Sequence, residues 1–335
     1  MIPHVVRLLV ERKPVEGLEI HGEVIVDCTR IRMVLNGGCT GWSYLAVMQH
    51  VQVVECPRDA LQGWGKPVDT ATKVEYIRAL LGVGFDTLDL GSFVSSRHVP
   101  QMADTAEVLR KLNDLDVWNP ATRRLVVVVN LRGAEEACRH EAVDDVGFPL
   151  SLSETFSLRN AGMGRDAAWE QLAAVRECCE QSGKRLVVYL SMGFGNPYGD
   201  SWSLDFLEDW MLTCISRFAP SVVSLSDTLG SASPELIESA FSRLSMENTV
   251  ADIGAHLHAH PAQAAVKVDA ALRGGCRRFD AAIGGIGGCP FASDTLVGNV
   301  PTEVLVQRLG EAQLWTPPDA EAWVHAQRSA RKVFS

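Results

Sequence analysis

The feature that most constrains this chain is a repeated alternation. From residue 51 onward, short runs rich in Val, Ile and Leu alternate with longer amphipathic stretches. The apolar runs are Val51–Glu55, Thr87–Leu90, Leu125–Val129, Val146–Leu150, Leu186–Leu190, Val222–Leu225, Ile253–Leu257 and Phe279–Ile283. Between them lie helix-like segments: Thr70–Leu81, Met102–Leu112, Ala167–Glu180, Leu204–Phe218, Pro234–Leu244 and Pro261–Leu272. Continuous β-branched runs separated by helices imply strands covered on both faces, hence a parallel sheet. Eight such units over roughly 250 residues is the size of a (β/α)8 TIM barrel. The rival, an open doubly wound sheet, usually carries a Gly-rich turn after its first strand. Here that strand is followed by Pro57-Arg58-Asp59.

Residues 1–47 do not share the rhythm and read as an N-terminal extension, either an extra layer at the barrel floor or translated sequence upstream of a natural start at Met48. The barrel is expected over residues 48–310, with a tail over 311–335. The 335 residues are 47% hydrophobic and carry a net charge of −10. That apolar fraction excludes a disordered chain, and the acidic balance disfavours nucleic acid as partner. No apolar stretch is long enough for a membrane span. The nine cysteines are an odd number, without a secretory signal or Cys-x-x-Cys, and read as reduced thiols. A cytoplasmic location is expected.

In such a barrel the chemistry sits at the C-terminal ends of the strands. Polar residues recur there: Arg58-Asp59 after the first run, Asp89 and Ser92 at the second, Asn130 at the third, Ser153-Glu154 at the fourth, Tyr189 and Ser191 at the fifth, Asp227-Thr228 at the sixth, His256 and His258 at the seventh, Cys289 and Asn299 after the eighth. Taken alone, Asn130, Ser191 and Asp227 each read as a loop cap or a satisfied core polar group. The recurrence at nearly every strand end points to a site.

His256-x-His258 is the sharpest local signal, because residues two apart on a strand share a face. Two imidazoles with oxygen donors such as Asp59 and Asn299 suit a divalent ion, Mg2+ or Mn2+, with positions left for substrate oxygens. Gly284-Gly285-Ile286-Gly287-Gly288-Cys289-Pro290 reads as a mobile lid carrying one thiol, Cys289, as proton donor.

The stretches Val54-Glu55-Cys56-Pro57-Arg58-Asp59-Ala60-Leu61-Gln62, Ser92-Phe93-Val94-Ser95, Val99-Pro100-Gln101-Met102, His256-Leu257-His258, Gly287-Gly288-Cys289-Pro290 and Gly298-Asn299 together resemble the 3-hydroxy-3-methylglutaryl-CoA lyase family. The resemblance implies a metal held by Asp59, His256, His258 and Asn299. It also implies an enolate-stabilising Arg58, a lid thiol at Cys289 and an acyl-CoA substrate. Asp89 stands where the family usually has a glutamate, and Ala60 where it usually has glycine. Substrate contacts are expected from Gln62, Ser92, Asn130, Tyr189, Ser191 and Asp227, and a homodimer is expected. The implied reaction is a retro-aldol cleavage in which His256 or Asp89 takes the hydroxyl proton. The alternatives are a lyase or condensing synthase of the same barrel group acting on a related substrate, and a catalytically silent barrel used as a scaffold.

Overall fold

The computed structural model describes residues 50–245, 250–288 and 297–335. The N-terminal extension, the start at Met48 and Cys289 therefore lie outside the described residues. In chain order the elements are β1 (Gln52–Glu55), α1 (Pro57–Gly63), α2 (Thr70–Leu81), β2 (Thr87–Ser92), α3 (Thr105–Asp114), β3 (Arg123–Val127), α4 (Leu131–Arg139), β4 (Asp145–Ser151), α5 (Glu154–Ala161) and α6 (Arg165–Ser182). They continue with β5 (Arg185–Ser191), α7 (Leu204–Phe218), β6 (Val222–Asp227), α8 (Pro234–Ser245), β7 (Asp252–Leu257), α9 (Pro261–Arg273), β8 (Arg278–Ala281), α10 (Thr302–Glu311) and α11 (Ala320–Val333). Among the described residues the strands form one closed parallel barrel in chain order. Closure pairs β1 with β8, from Gln52 against Arg278 to Glu55 against Ala281. This is the (β/α)8 TIM barrel expected from the alternation.

The chemistry of the segments explains their ends. Asp69, Ser153 and Ser203 cap α2, α5 and α7 by accepting main-chain N–H bonds from Thr72, Phe156 and Phe206. Gly162 and Gly183 end α5 and α6 in the left-handed conformation that favours glycine. The outward faces of the strands pack on the helices in one continuous core. Inside the barrel, Leu125, Val127, Val187, Tyr189 and Val222 form a separate apolar layer on the β3, β5 and β6 side.

Two expectations need correction. Residues 311–335 are not a tail: together with the barrel they form one compact unit from Val51 to Ser335. Trp315 stacks on Phe85 at 5.9 Å between ring centres, and Phe334 meets Trp64 and Tyr76 edge-on. Aromatic burial draws the C-terminal helix onto the barrel. Secondly, the third strand starts earlier than the apolar run suggested, and Asn130 begins a helix instead of ending a strand.

Candidate active site

Arg58 and Asp59 sit in α1, a short helix that starts at Pro57 directly after β1. Proline suits a first helical turn because its missing N–H is not needed there. The turn aims both side chains into the barrel mouth, where they are 8% and 7% exposed. Arg58 is held on two sides. Its Nε and Nη2 donate to Asp89 Oδ2 at 2.9 and 2.6 Å, and Nη1 donates to Asp59 Oδ1 at 2.7 Å. Gln62, one turn on, accepts from Nη1 at 3.4 Å. The guanidinium is thus fixed as a permanent positive charge.

Asp89 and Ser92 owe their places to an irregularity in β2. The register against β3 shifts between Asp89 and Gly91. A bulge of this kind re-aims the residues after it. Leu90 joins the outer core, and Gly91 faces α3, where a Cβ would come within 2.6 Å of Thr105 Cγ2. Ser92 thereby lines the mouth. Burial outweighs the Arg58 charge and raises the Asp89 carboxyl to about 6. Its Oδ1 has no hydrogen-bond partner among the described residues.

His256 and His258 project into the mouth from the end of β7, with rings 5.3 Å apart. Each has its Nδ1 engaged from behind. His256 Nδ1 lies 3.1 Å from Asp280 Oδ2, and Asp280 Oδ1 accepts from Arg278 Nη1 at 2.8 Å. His258 Nδ1 lies 3.0 Å from the Thr228 carbonyl oxygen, which makes that nitrogen the protonated one. His258 Nε2 is buried without a partner. Burial and the neighbouring His256 push His258 down to about 4, so it is neutral near pH 7. Burial alone would depress His256 too, but the Asp280 carboxylate outweighs it and raises its basicity.

Asn299 reaches the site along a segment that pairs with the end of β7: His258 bridges Asn299, and Val300 N donates to the Leu257 carbonyl at 3.1 Å. Its Nδ2 donates to Asp59 Oδ2 at 2.7 Å and to the Ile286 carbonyl at 2.9 Å. The Gly-rich segment crosses directly above. Gly287 has φ +108°, and a Cβ there would lie 2.5 Å from Asn299 Nδ2 and 2.8 Å from the Asp59 carbonyl oxygen. Gly288 N–H reaches Asp59 Oδ2 at 3.3 Å. Burial would raise Asp59, but Arg58 and the two imidazoles hold it well below the usual carboxylate range.

Donor atoms of Asp59, His256 and His258 all lie within 4.8 Å of one another. An ionised carboxylate, two imidazoles and one nitrogen lone pair without a partner form a donor set suited to a divalent ion. The residues present therefore fit the ion that the sequence implied, with Asn299 beside them. They open onto a cavity of about 430 Å3. Arg58, Gln62, Ser92, Asn130, Tyr189 and Ser191 are among the residues that line it. Because strand order follows chain order, Val127, Val129 and Pro149 face the ion donors across the mouth.

Asp227 is different: it is buried outside this lining. It accepts from Lys267 Nζ at 2.7 Å and from the N–H groups of Ser231 and Ala232 at 3.1 Å. Its carboxylate is already satisfied, so it does not stand as a substrate contact. Asn130 lines the cavity but also caps α4, accepting from Gly133 N at 3.0 Å. Asp280, Arg278 and Lys267 were missed by the sequence reading. The available signal was charge inside apolar runs: Arg278-Phe279-Asp280 in a barrel strand, and Lys267 on the buried face of a helix.

The HMGL-like family model matches residues 51–328. A hydroxymethylglutaryl-CoA lyase from Pseudomonas mevalonii is 33% identical over 276 residues, covering 82% of this chain and 89% of its own. A Pseudomonas aeruginosa enzyme named 3-hydroxy-3-isohexenylglutaryl-CoA/hydroxy-methylglutaryl-CoA lyase is 32% identical, covering 82% and 90%. Among solved structures, an HMG-CoA lyase from Acinetobacter baumannii in complex with coenzyme A and 3-methylmalate superposes with a TM-score of 0.78. It is 28% identical and covers 87% of this chain and 93% of its own. The barrel, the donor set at its mouth and these similarities agree: the chain is a carbon–carbon lyase and belongs to the HMGL-like family, a divalent-metal-dependent family.

Proposed function

We propose that this protein cleaves 3-hydroxy-3-methylglutaryl-CoA to acetyl-CoA and acetoacetate, with Mg2+ or Mn2+ held by Asp59, His256, His258 and Asn299. The observation that carries this reading is a set of buried polar atoms without partners on residues lining one cavity: Ser92 Oγ, Ser226 Oγ and His258 Nε2. Buried polar groups are normally satisfied, so a polar ligand with several oxygens completes this site. When bound, the ion supplies Lewis acidity to the tertiary hydroxyl and the free carboxylate of the acyl group.

The chain's own residues then divide the work. His256 has one nitrogen on Asp280 and the other in the donor cluster. Asp89 keeps one oxygen uncommitted at a near-neutral pKa, which favours it as acceptor of the hydroxyl proton. The C–C bond to the methylene beside the thioester breaks, leaving a ketone and an enolate. Arg58, immobilised between Asp89 and Asp59, offers a fixed positive charge to the thioester oxygen as the enolate forms. Cys289 follows directly on Gly288, whose N–H bonds Asp59, and this adjacency supports it as donor of the proton that turns the enolate into acetyl-CoA.

The apolar side of the mouth supports a second substrate, a homologue with a longer 3-alkyl group, as the name of the Pseudomonas aeruginosa relative indicates for that enzyme. The test is a panel of 3-hydroxy-3-alkylglutaryl-CoA thioesters with Mg2+ or Mn2+ present, with products identified by mass spectrometry. Formation of acetyl-CoA and acetoacetate is expected. No cleavage of any member, with the ion shown to be bound, would overturn the reading in favour of a scaffold.

A further inference from the structure

We infer that Lys267 is a positioning residue for the ion site: its ammonium group fixes the main chain that carries His258 and the loop that holds the His258 ring. The inference rests on the reading that His258 binds the ion. Lys267 lies on the barrel-facing side of α9 and is 2% exposed. Its three N–H donors meet three acceptors: Asp227 Oδ2 at 2.7 Å, the Gly230 carbonyl at 2.7 Å and the carbonyl of His258 itself at 3.0 Å.

The Asp227 carboxylate in turn accepts from Ser231 and Ala232 N–H, so the loop 227–232 is wound around one buried charge pair. That loop contains Thr228, whose carbonyl oxygen engages His258 Nδ1 and leaves Nε2 as the lone pair facing the mouth. Lys267 therefore grips His258 twice, at its main chain and through the loop behind its ring. An aliphatic residue would pack α9 on the barrel without the cost of desolvating a charge. What the charge adds is a fixed direction for His258 Nε2, the kind of outer support on which metal affinity depends.

Lys73 provides the contrast. It is 4% exposed and donates to Asp104 Oδ1 at 2.6 Å and to the Gln101 carbonyl at 2.5 Å, touching none of the ion donors. The experiment compares Lys267→Met with Lys73→Met, reading Mn2+ affinity from the electron paramagnetic resonance of free Mn2+ and stability from thermal melts. Both variants are expected to melt earlier. Only Lys267→Met is expected to bind Mn2+ more weakly, by about tenfold to a hundredfold. Should Lys267→Met fail to fold, the double variant Asp227→Asn/Lys267→Met leaves no buried charge unpaired, and the same loss is expected. Mn2+ affinity equal to that of the native protein, in whichever variant folds, would overturn the inference. A native protein that takes up no Mn2+ would instead overturn the ion-site reading, and this inference with it.

Discussion

His256 Nδ1 and Asp280 Oδ2 lie 3.1 Å apart on neighbouring strands, and Asp280 is held from its other oxygen by Arg278. The carboxylate sets the tautomer of the ring, directs Nε2 to the mouth and raises the basicity of that nitrogen. Asp280→Asn is expected to lower divalent-ion affinity by about tenfold to a hundredfold. Isothermal titration with Mn2+ checks this, and an unchanged affinity would remove Asp280 from the support of the site.

Arg58 is oriented by two carboxylates before any substrate arrives. Arg58→Gln keeps a polar, hydrogen-bonding side chain at this position but removes the charge that meets the enolate. A fall in kcat of about a hundredfold to a thousandfold is expected, with ion content unchanged. Steady-state kinetics with metal analysis of the same sample decides it; near-normal turnover would exclude Arg58 from the chemistry.

Asp89 predicts the pH dependence. Its carboxyl is raised to about 6 by burial, and the proposed role needs it ionised. The rate should therefore rise with pH through about 6 and fall below it. In Asp89→Asn the remaining rate should be low and lack that acid limb. A native profile flat through this range would assign the proton acceptor elsewhere.

Glu55 predicts a pH dependence of stability instead. It accepts from Ile283 N at 2.9 Å and from Thr302 Oγ1 at 2.6 Å, and burial pushes its carboxyl up to about 8. The folded state holds this proton more tightly than the unfolded chain, whose value is near 4.5. The stabilisation is complete below that lower value and is lost as pH rises through about 8. Glu55→Gln retains a donor and an acceptor but cannot lose a proton. Thermal melts from about pH 5 to 9 should show a steeper decline for the native protein than for the variant.

Gly287 has no room for a side chain. Its left-handed φ and the 2.5 Å approach of a Cβ to Asn299 Nδ2 mean that Gly287→Ala must displace the strap over Asp59 and Asn299. Weaker ion binding and reduced kcat are expected, with the melting temperature little changed because the barrel core is untouched. Full activity in this variant would show that the strap need not sit against the ion donors.

Much of this architecture was legible in local pattern. α2 and α7 begin and end where the amphipathic spacing put them, and the eight apolar runs mark the eight strands. α1, α4 and α5 escaped because they are 7, 9 and 8 residues long and start close behind a strand end, at Pro57 after Glu55, Leu131 after Val127 and Glu154 after Ser151, where strand and helix signals overlap. His256 and His258 were readable as a pair because a strand's period of two needs no tertiary information. Asp59 and Asn299 are 240 residues apart, and only the family resemblance joined them before the fold did.

By itself, then, the sequence determined the barrel, the order of its strands and the residue types available at the mouth, because hydrophobic periodicity is a local property of the chain. Tertiary structure alone decided which polar residues face the cavity and which support it from behind. Asp227 and Asp280 look alike in sequence, each a carboxylate at or near a strand end. Asp227 is turned to Lys267, 40 residues away, and Asp280 to His256, 24 residues away. Such pairings arise from the closure and packing of the barrel, which bring distant charges together where burial makes each of them need a partner.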